Sequence, residues 1–554
     1  MKKLVLPLFL ALAAAAALPS TALAQSTCPA TPTPITITGT ITTNTTWTSN
    51  NIYLLSGYVY VANGATLTIQ PGTIIKADKT PTPGGVLVVL QGGKLIADGT
   101  AAQPIVFTSN QPAGSRNRGD WGGIVICGRA PINQPGSPAV EGVPSATFGG
   151  TDANDNSGVL RYVRIEYPGV ALSQNNEING LTLAGVGAGT TIDYVSVYAS
   201  GDDSFEWFGG TVNAKHLVAI AATDDDFDTD FGFTGKVQYA VTVRDPNQAD
   251  VSGSTAFESD NDANSSTLTP ITAPVFSNVS AFLTNPSVAA NFTRAMHLRR
   301  NSQISIFNSV LTGWPVGLTL DGSTTQANAT SGALVLKNNV MAGMTTDFQS
   351  ASPTTYNVQG FWGDASRSNT TYANISSLGL NADNFTINSA AASTNSSTAP
   401  NFTLPAASPL VSGAAFTDAK LAGGFFENVA YRGAFGPSGN WTAGWTNYNP
   451  QNTCYNVAGV TSAKAKSAAV QGLSVYPNPT AGASQLSFTL ARPAAVTVRV
   501  LDVTGRTVAT VSQDRTLTSG EQQLALPGNL KSGLYTATVQ TGESVEAVRF
   551  VVTQ

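Results

Sequence analysis

Charge is what this chain has least of. Only 11% of its 554 residues are Asp, Glu, Lys or Arg, and two are His. The net charge of −5 provides no basic footprint for nucleic acid or an anionic membrane, which excludes both as partners. Three cysteines, Cys28, Cys127 and Cys454, are too few for a disulfide framework. Cys127 ends the apolar run from Ile124 and reads as a buried thiol. Cys28 and Cys454 bracket the large central region; an elongated body would hold them apart, so they can pair only if the chain folds back. Long apolar runs are missing as well. The run Leu4 to Leu18 is too short to span a membrane, and no later stretch reaches that length, so no transmembrane segment is expected. Lys2 and Lys3 precede it and Ala22-Leu-Ala24 follows, so residues 1–24 read as a signal peptide cleaved after Ala24. Gln25 stands where a lipoprotein signal needs an apolar residue.

What is abundant is Gly, Thr, Ser, Asn and Ala, the composition of an extracellular β-protein with a polar rather than ionic surface. The body repeats. Leu67, Ile69, Gly72, Ile75, Ala77 and Asp78 recur 20 residues on as Leu87, Val89, Gly92, Leu95, Ala97 and Asp98. Farther along, Val163/Ile165, Val195/Val197, Val218/Ile220 and Val241/Val243 recur in steps of 32, 23 and 23, and Val279, Val310 and Val340 continue the series. Asn278, Ser309 and Asn339 stand before those last three valines, as residues that can ladder from rung to rung. Steps of 20 to 23 lengthened by loops suit the coils of a parallel β-helix and are too short for propeller blades. The fold class expected is therefore all-β: a right-handed parallel β-helix over 25–457, less regular from 345, a linker at 458–472, and a small Ig-like antiparallel β-sandwich over 473–554. Trp207, Phe208 and Trp314 are expected on the solvent face, where aromatic rings can stack on sugars.

The middle rungs carry the chemistry. Gly201-Asp-Asp-Ser-Phe-Glu-Trp-Phe-Gly209 is followed 23 residues later by Asp224-Asp-Asp-Phe-Asp-Thr-Asp-Phe-Gly232, which places Asp202 and Asp203 near Asp225 and Asp226. A third acidic turn spans Phe257 to Asp262. Stacked carboxylates repel unless a cation, basic neighbours or protonation neutralises them. Calcium, which takes oxygen ligands, suits the first explanation, with Asp202, Asp203, Asp225, Asp226, Asp228 and Asp230 as its ligands. The plainer alternative is Asp capping its own turns. Arg294, His297, Arg299 and Arg300 could supply the basic neighbours. Gly201-Asp-Asp203 resembles the paired aspartates of polygalacturonase-type glycoside hydrolases, but that family's Gly-His-Gly and Arg-Ile-Lys elements are absent. A lyase reading instead needs calcium and an Arg base. Asp202, Asp203, Arg294 and Arg299 are the catalytic candidates under these two readings. His297 and His216 read as packed or turn histidines, and Arg118-Gly-Asp120 as a chance tripeptide leading into a coil.

The end of the chain is the most specific part. Tyr476, Pro477, Asn478 and Pro479 are followed by Asp502, Gly505, Gly533, Tyr535 and a closing Arg549-Phe-Val-Val552, with turn signals between alternating runs. Without further comparison this is a small β-sandwich of about seven strands, such as a spacer or carbohydrate-binding module. In order and spacing the motifs resemble the type A C-terminal sorting domain of the type IX secretion system of Bacteroidota. Gly99 to Phe107 and Gly119 to Ile126 look like a group of uncharacterised β-helix surface proteins from the same bacteria. The resemblance implies handling by the type IX machinery, passage through the periplasm, and release or attachment at the outer face of the outer membrane. The function expected is adhesion or glycan binding, toward extracellular polysaccharide or cell-surface glycan, with calcium as the one cofactor considered. The alternatives are a polysaccharide-active enzyme and a rigid stalk.

Overall fold

The computed structural model describes Cys28 and residues 32–173, 176–283, 288–385, 400–456, 470–490, 493–502, 506–541 and 544–553. The expected signal peptide with Ala24, most of the expected linker, and Gly505 lie outside these residues. The chain forms two compact units, one ending at Thr461 and the other beginning at Ser462.

Short β-branched and aliphatic runs separated by tight turns wind the first unit into a parallel β-helix, with 26 strands among the described residues joined in one sheet system. Its cross-section has three faces. The first stacks the start of Ile52–Val61 on Ile74–Ala77 and Ile105–Ser109, then on the later halves of Gly158–Glu166, Thr191–Tyr198, Asn213–Ile220, Lys236–Val243 and Val275–Phe282. The second stacks Val86–Val89, Gly123–Cys127, Leu181–Ala184, Phe205–Phe208, Phe227–Asp230, Ser254–Ser259, Phe292–Leu298, Val316–Asp321 and Thr346–Ala351. The third begins with Thr45–Trp47, Thr66–Ile69 and Lys94–Asp98 and continues in the early halves of the long strands. Inward side chains from all three, among them Leu55, Leu67, Leu87, Leu183, Val197 and Phe227, form one continuous core.

The near-copy at spacing 20 is a repeated corner rather than a repeated rung. Leu67 lies opposite Leu95, and Leu87 opposite Val59. Residues 66–77 and 86–98 are each a strand, a turn and a strand, with Gly72 and Gly92 both at φ +80°, where a side chain would be strained. The step of 23 at Val195 is also one residue too long: Val195 pairs with Leu217, so Val218 and Ile220 face away from the interior. Beyond that point the expected polar ladder forms in part: Asn278 stands outside it, its Nδ2 donating to Tyr431 O and Gly433 O at 3.1 and 3.2 Å, while Ser309 and Asn339 stack. Ser309 Oγ accepts from Val279 N at 3.0 Å, Asn339 Oδ1 from Ser309 N at 2.9 Å, and Asn369 Oδ1 from Asn339 N at 2.9 Å.

What Val218 and Ile220 face is the chain's own return. Residues 400–456 run back along the first face, packing Phe402, Leu410, Phe435 and Trp445 against Val218, Ile220, Val241, Val243, Phe282, Val310 and Val340. The return ends where Tyr455 packs with Ile52, Ile74 and Val106 of the early rungs. The Tyr455 hydroxyl donates to Glu166 Oε1 at 2.7 Å and accepts from Arg164 Nη2 at 3.2 Å, while the Arg116 guanidinium lies 4.9 Å from the ring centre. This fold-back joins Cys454 to Cys28 in a disulfide, with Cα atoms 5.4 Å apart. Cys127 is a buried free thiol whose pKa burial pushes up to about 12.

The expectation of solvent-facing aromatics is corrected. Trp207 and Trp314 are 0% exposed, and Phe208 is 6% exposed. Trp207 and Trp314 point inward into the core. Phe208 points outward but is covered by the insertion that supplies Val140, Val143 and Phe148. Arg118-Gly-Asp120 is likewise no exposed motif, since Asp120 is buried and paired with Lys79 at 3.0 Å.

The second unit is an antiparallel sandwich. Val470–Tyr476, Ser484–Leu490 and Gly520–Leu526 form one sheet. Thr507–Leu517, Ala494–Leu501, Gly533–Thr541 and Ser544–Val552 form the other. Leu486 and Phe488 from one meet Val496, Val498, Ala537 and Phe550 from the other in a separate core.

Candidate functional site: an acidic ladder on the second face

Alternation on the second face buries one set of side chains and turns the other outward. Phe205 and Trp207 point inward, as do Phe227 and Phe257 on the next rungs. Glu206 is therefore outward, and parallel register puts it beside Asp228 and then Glu258, His297, Thr319 and Gln349. The turns leading into the same strands bring Asp202, Asp203, Asp224 and Asp225 to one edge of this column. The step there is 22 residues, Phe205 to Phe227. Asp203 is consequently level with Asp225, and its Oδ1 accepts from Asp225 N at 2.7 Å. Asp225 Oδ1 accepts in turn from Thr255 N, and Asn179 Oδ1 from Asp203 N.

Backbone capping thus engages one oxygen of Asp203 and one of Asp225, and side-chain donors reach two more groups, Asn179 Nδ2 bonding Glu206 Oε2 and Ser252 Oγ bonding Asp224 Oδ2 at 2.7 Å. Carboxylate oxygens of Asp202, Asp203 and Asp224 lie within 4.8 Å of one another, as do those of Asp203, Glu206 and Asp228, and those of Asp225, Asp228 and Glu258. Asp203 and Asp228 each belong to two groups, so the three form one ladder across three rungs. Asp228 Oδ1 is buried with no hydrogen-bond partner. Burial pushes the pKa values of Asp202, Asp203, Glu206, Asp225 and Asp228 well above the usual carboxylate range, and the neighbouring carboxylates push them further. Glu141 and Glu177, from the insertions that cover the earlier rungs of this face, add their charge at the Asp202 end.

The ladder ends in bases. Glu258 contacts Arg299 Nη2 and lies 3.4 Å from His297 Nδ1. Burial would raise the Glu258 carboxyl, but His297, Arg299 and Arg300 together bring it below its ordinary value. Arg299 Nε also bonds Asp260 at 2.8 Å, and Arg300 Nη1 bonds Asp260 at 2.6 Å.

Of the six aspartates expected to ligate a metal, the structure brings Asp202, Asp203, Asp225 and Asp228 together. Asp226 lies apart, buried against Arg244 Nη1 at 3.0 Å. Asp230 is on the outward side of the same strand but accepts from its neighbour Phe231 N at 2.6 Å. Arg294 reaches Gln349 at 3.4 Å, and Arg299 is held at the Glu258 end, so neither joins Asp202 and Asp203. Sequence reasoning passed over Glu206, Asp224 and Glu258. Their signal was alternation with inward phenylalanines, readable once the step is 22. His216 is packed between Tyr194 and Tyr239, with ring centres 4.1 and 5.2 Å away, and its Nδ1 lies 2.8 Å from Asp193 Oδ1.

Fold and site together define a parallel β-helix protein with a carboxylate ladder on one face and a separate C-terminal sandwich. Residues 39–372 match the pectate-lyase-like β-helix domain family, and residues 474–553 match the secretion system C-terminal sorting domain. The first match spans more than half of the chain, which therefore belongs to the pectate-lyase-like β-helix family. No curated protein matches it. The sorting domain makes this a protein handled by the type IX secretion machinery and destined for secretion or the cell surface. Among the described residues no helix is long and apolar enough to cross a membrane.

Proposed function

We propose that the body is a calcium-dependent binding module, displayed at the outer face of the outer membrane or released from it, that holds extracellular polysaccharide or a cell-surface glycan through the acidic ladder. The observation that carries this reading is the set of three overlapping carboxylate groups. Oxygens within 4.8 Å of one another can share one cation at about 2.4 Å, the bond length calcium prefers. Calcium takes about six to eight oxygens. Three carboxylates leave coordination positions open to water or to the hydroxyl and carboxylate oxygens of a sugar. With Trp207 and Trp314 in the core, ring stacking is not available to these residues, and cation bridging replaces it in this reading. Binding is favoured over lyase chemistry because Arg294 and Arg299, the arginines considered as its base, are held at Gln349 and at Glu258 and Asp260 and do not join Asp202 and Asp203.

The test is calorimetric titration of calcium into the full chain and into its Asp203→Asn/Asp228→Asn variant, which breaks all three groups. Heat in the parent and none in the variant, with both equally folded, supports the reading. No heat in the parent, or equal heat in the two, refutes it. Calcium-dependent retention on acidic-glycan arrays then checks the glycan.

A further inference from the structure

The first rung leaves a β-edge uncovered. Strand Ile35–Ile41 pairs with Ile52–Val61 on one side and, among the described residues, with nothing on the other. At the opposite end Val358, Phe361 and Trp362 of the helix Val358–Trp362 pack into the core, and Thr346–Ala351 and Thr370–Tyr372 each pair on one side among the described residues. Exposed edges are usually guarded by charged residues that prevent strand addition. Here no charged residue stands between Lys3 and Lys76, and Ile35 is 44% exposed.

The strand itself indicates its partner. Ile35-Thr-Ile-Thr-Gly-Thr-Ile41 reads nearly the same in both directions. Paired antiparallel with a second copy about Thr38, Ile35 meets Ile41, Thr36 meets Thr40, and Ile37 meets Gly39. These include the Thr–Thr and aliphatic cross-strand pairs that stabilise antiparallel ladders. The strand bends near its centre, where its register shifts between Ile37 and Gly39 and Gly39 adopts φ +70°. A two-fold axis bisecting that corner lays each arm of one copy on the opposite arm of the other.

We propose that two copies of this chain join head to head through antiparallel pairing of Ile35–Ile41 across a two-fold axis at Thr38. The contact is isologous, so it closes at two copies instead of propagating as a fibre. Sedimentation of the full chain over about a hundredfold range of concentration tests it, alongside the variants Ile35→Lys/Thr38→Lys and Thr38→Cys. Directly opposed residues in an antiparallel pair have Cα atoms about 4.5–5.5 Å apart, within the roughly 4.4–6.8 Å a disulfide accepts. The expected result is twice the chain mass for the parent and the single mass for the lysine variant at an unchanged melting temperature. Thr38→Cys then gives a covalent dimer that reductant dissolves. A parent that stays monomeric throughout overturns the proposal and points to the chain's own N-terminal residues on that edge. A dimer that survives both lysines and fails to cross-link through Thr38→Cys overturns it as well.

Discussion

Two groups at the Asp202 end of the ladder, Asp224 and Glu141, have pKa values pushed up to about 7, with burial the largest cause. In the unfolded chain they release their protons near pH 4. The folded state therefore holds protons that the unfolded state has lost, and without calcium the stability due to these groups falls as pH rises from about 4 to 7. A bound cation favours the ionised forms and removes that loss. Melting without calcium is thus expected to occur at a higher temperature at pH 5 than at pH 8, and calcium is expected to raise the pH 8 value more. A melting temperature that rises with pH without calcium would contradict this. Trp207→Ala should cost about 3–5 kcal/mol in denaturant unfolding, as for a core aromatic, whereas a solvent-facing tryptophan would cost little. Residue identity alone located the acidic region but not its members. Asp226 and Asp228, two residues apart, would share a side under strict alternation; they differ in fate because Asp226 sits in the turn before the strand Phe227–Asp230, buried against Arg244, while Asp228 is on the strand and in the ladder.

Strands of the β-helix were legible in the sequence as short apolar runs, but their stacking was only partly so. The first-face strands are buried on both sides, by the interior and by residues 400–456, so Leu217 and Val218 are both apolar and periodicity cannot say which points inward. The return segment carries an aromatic-rich run, Trp441 to Tyr448, but little strand periodicity to show that it packs along the first face, being held mostly by loop contacts and short 3₁₀ turns. Its anchor is testable. Tyr455→Ala leaves Arg164 and Glu166 buried without their shared hydroxyl, and reduction of Cys28–Cys454 removes a cross-link of the kind usually worth about 2–5 kcal/mol. Either change should speed amide exchange over residues 400–456 before it affects the rungs beneath. Uniform acceleration through the whole coil would mean that the return and the coil open as one unit.

For the whole molecule, destination and activity rest on different parts of the chain. The sorting domain was readable because its motifs stand in fixed order in a small sandwich, and Tyr476 remains 80% exposed there. The calcium binding proposed for the body depends on side chains from successive rungs that meet only after the coil has formed, which is why its acidic turns were visible and their geometry was not. The most direct measurement is a crystal structure of the full chain grown with calcium, with the ion located by its anomalous signal. The account predicts a peak among Asp203, Glu206 and Asp228, about 2.4 Å from an oxygen of each. An occupied calcium site elsewhere, or none on the ladder at saturating calcium, would contradict it.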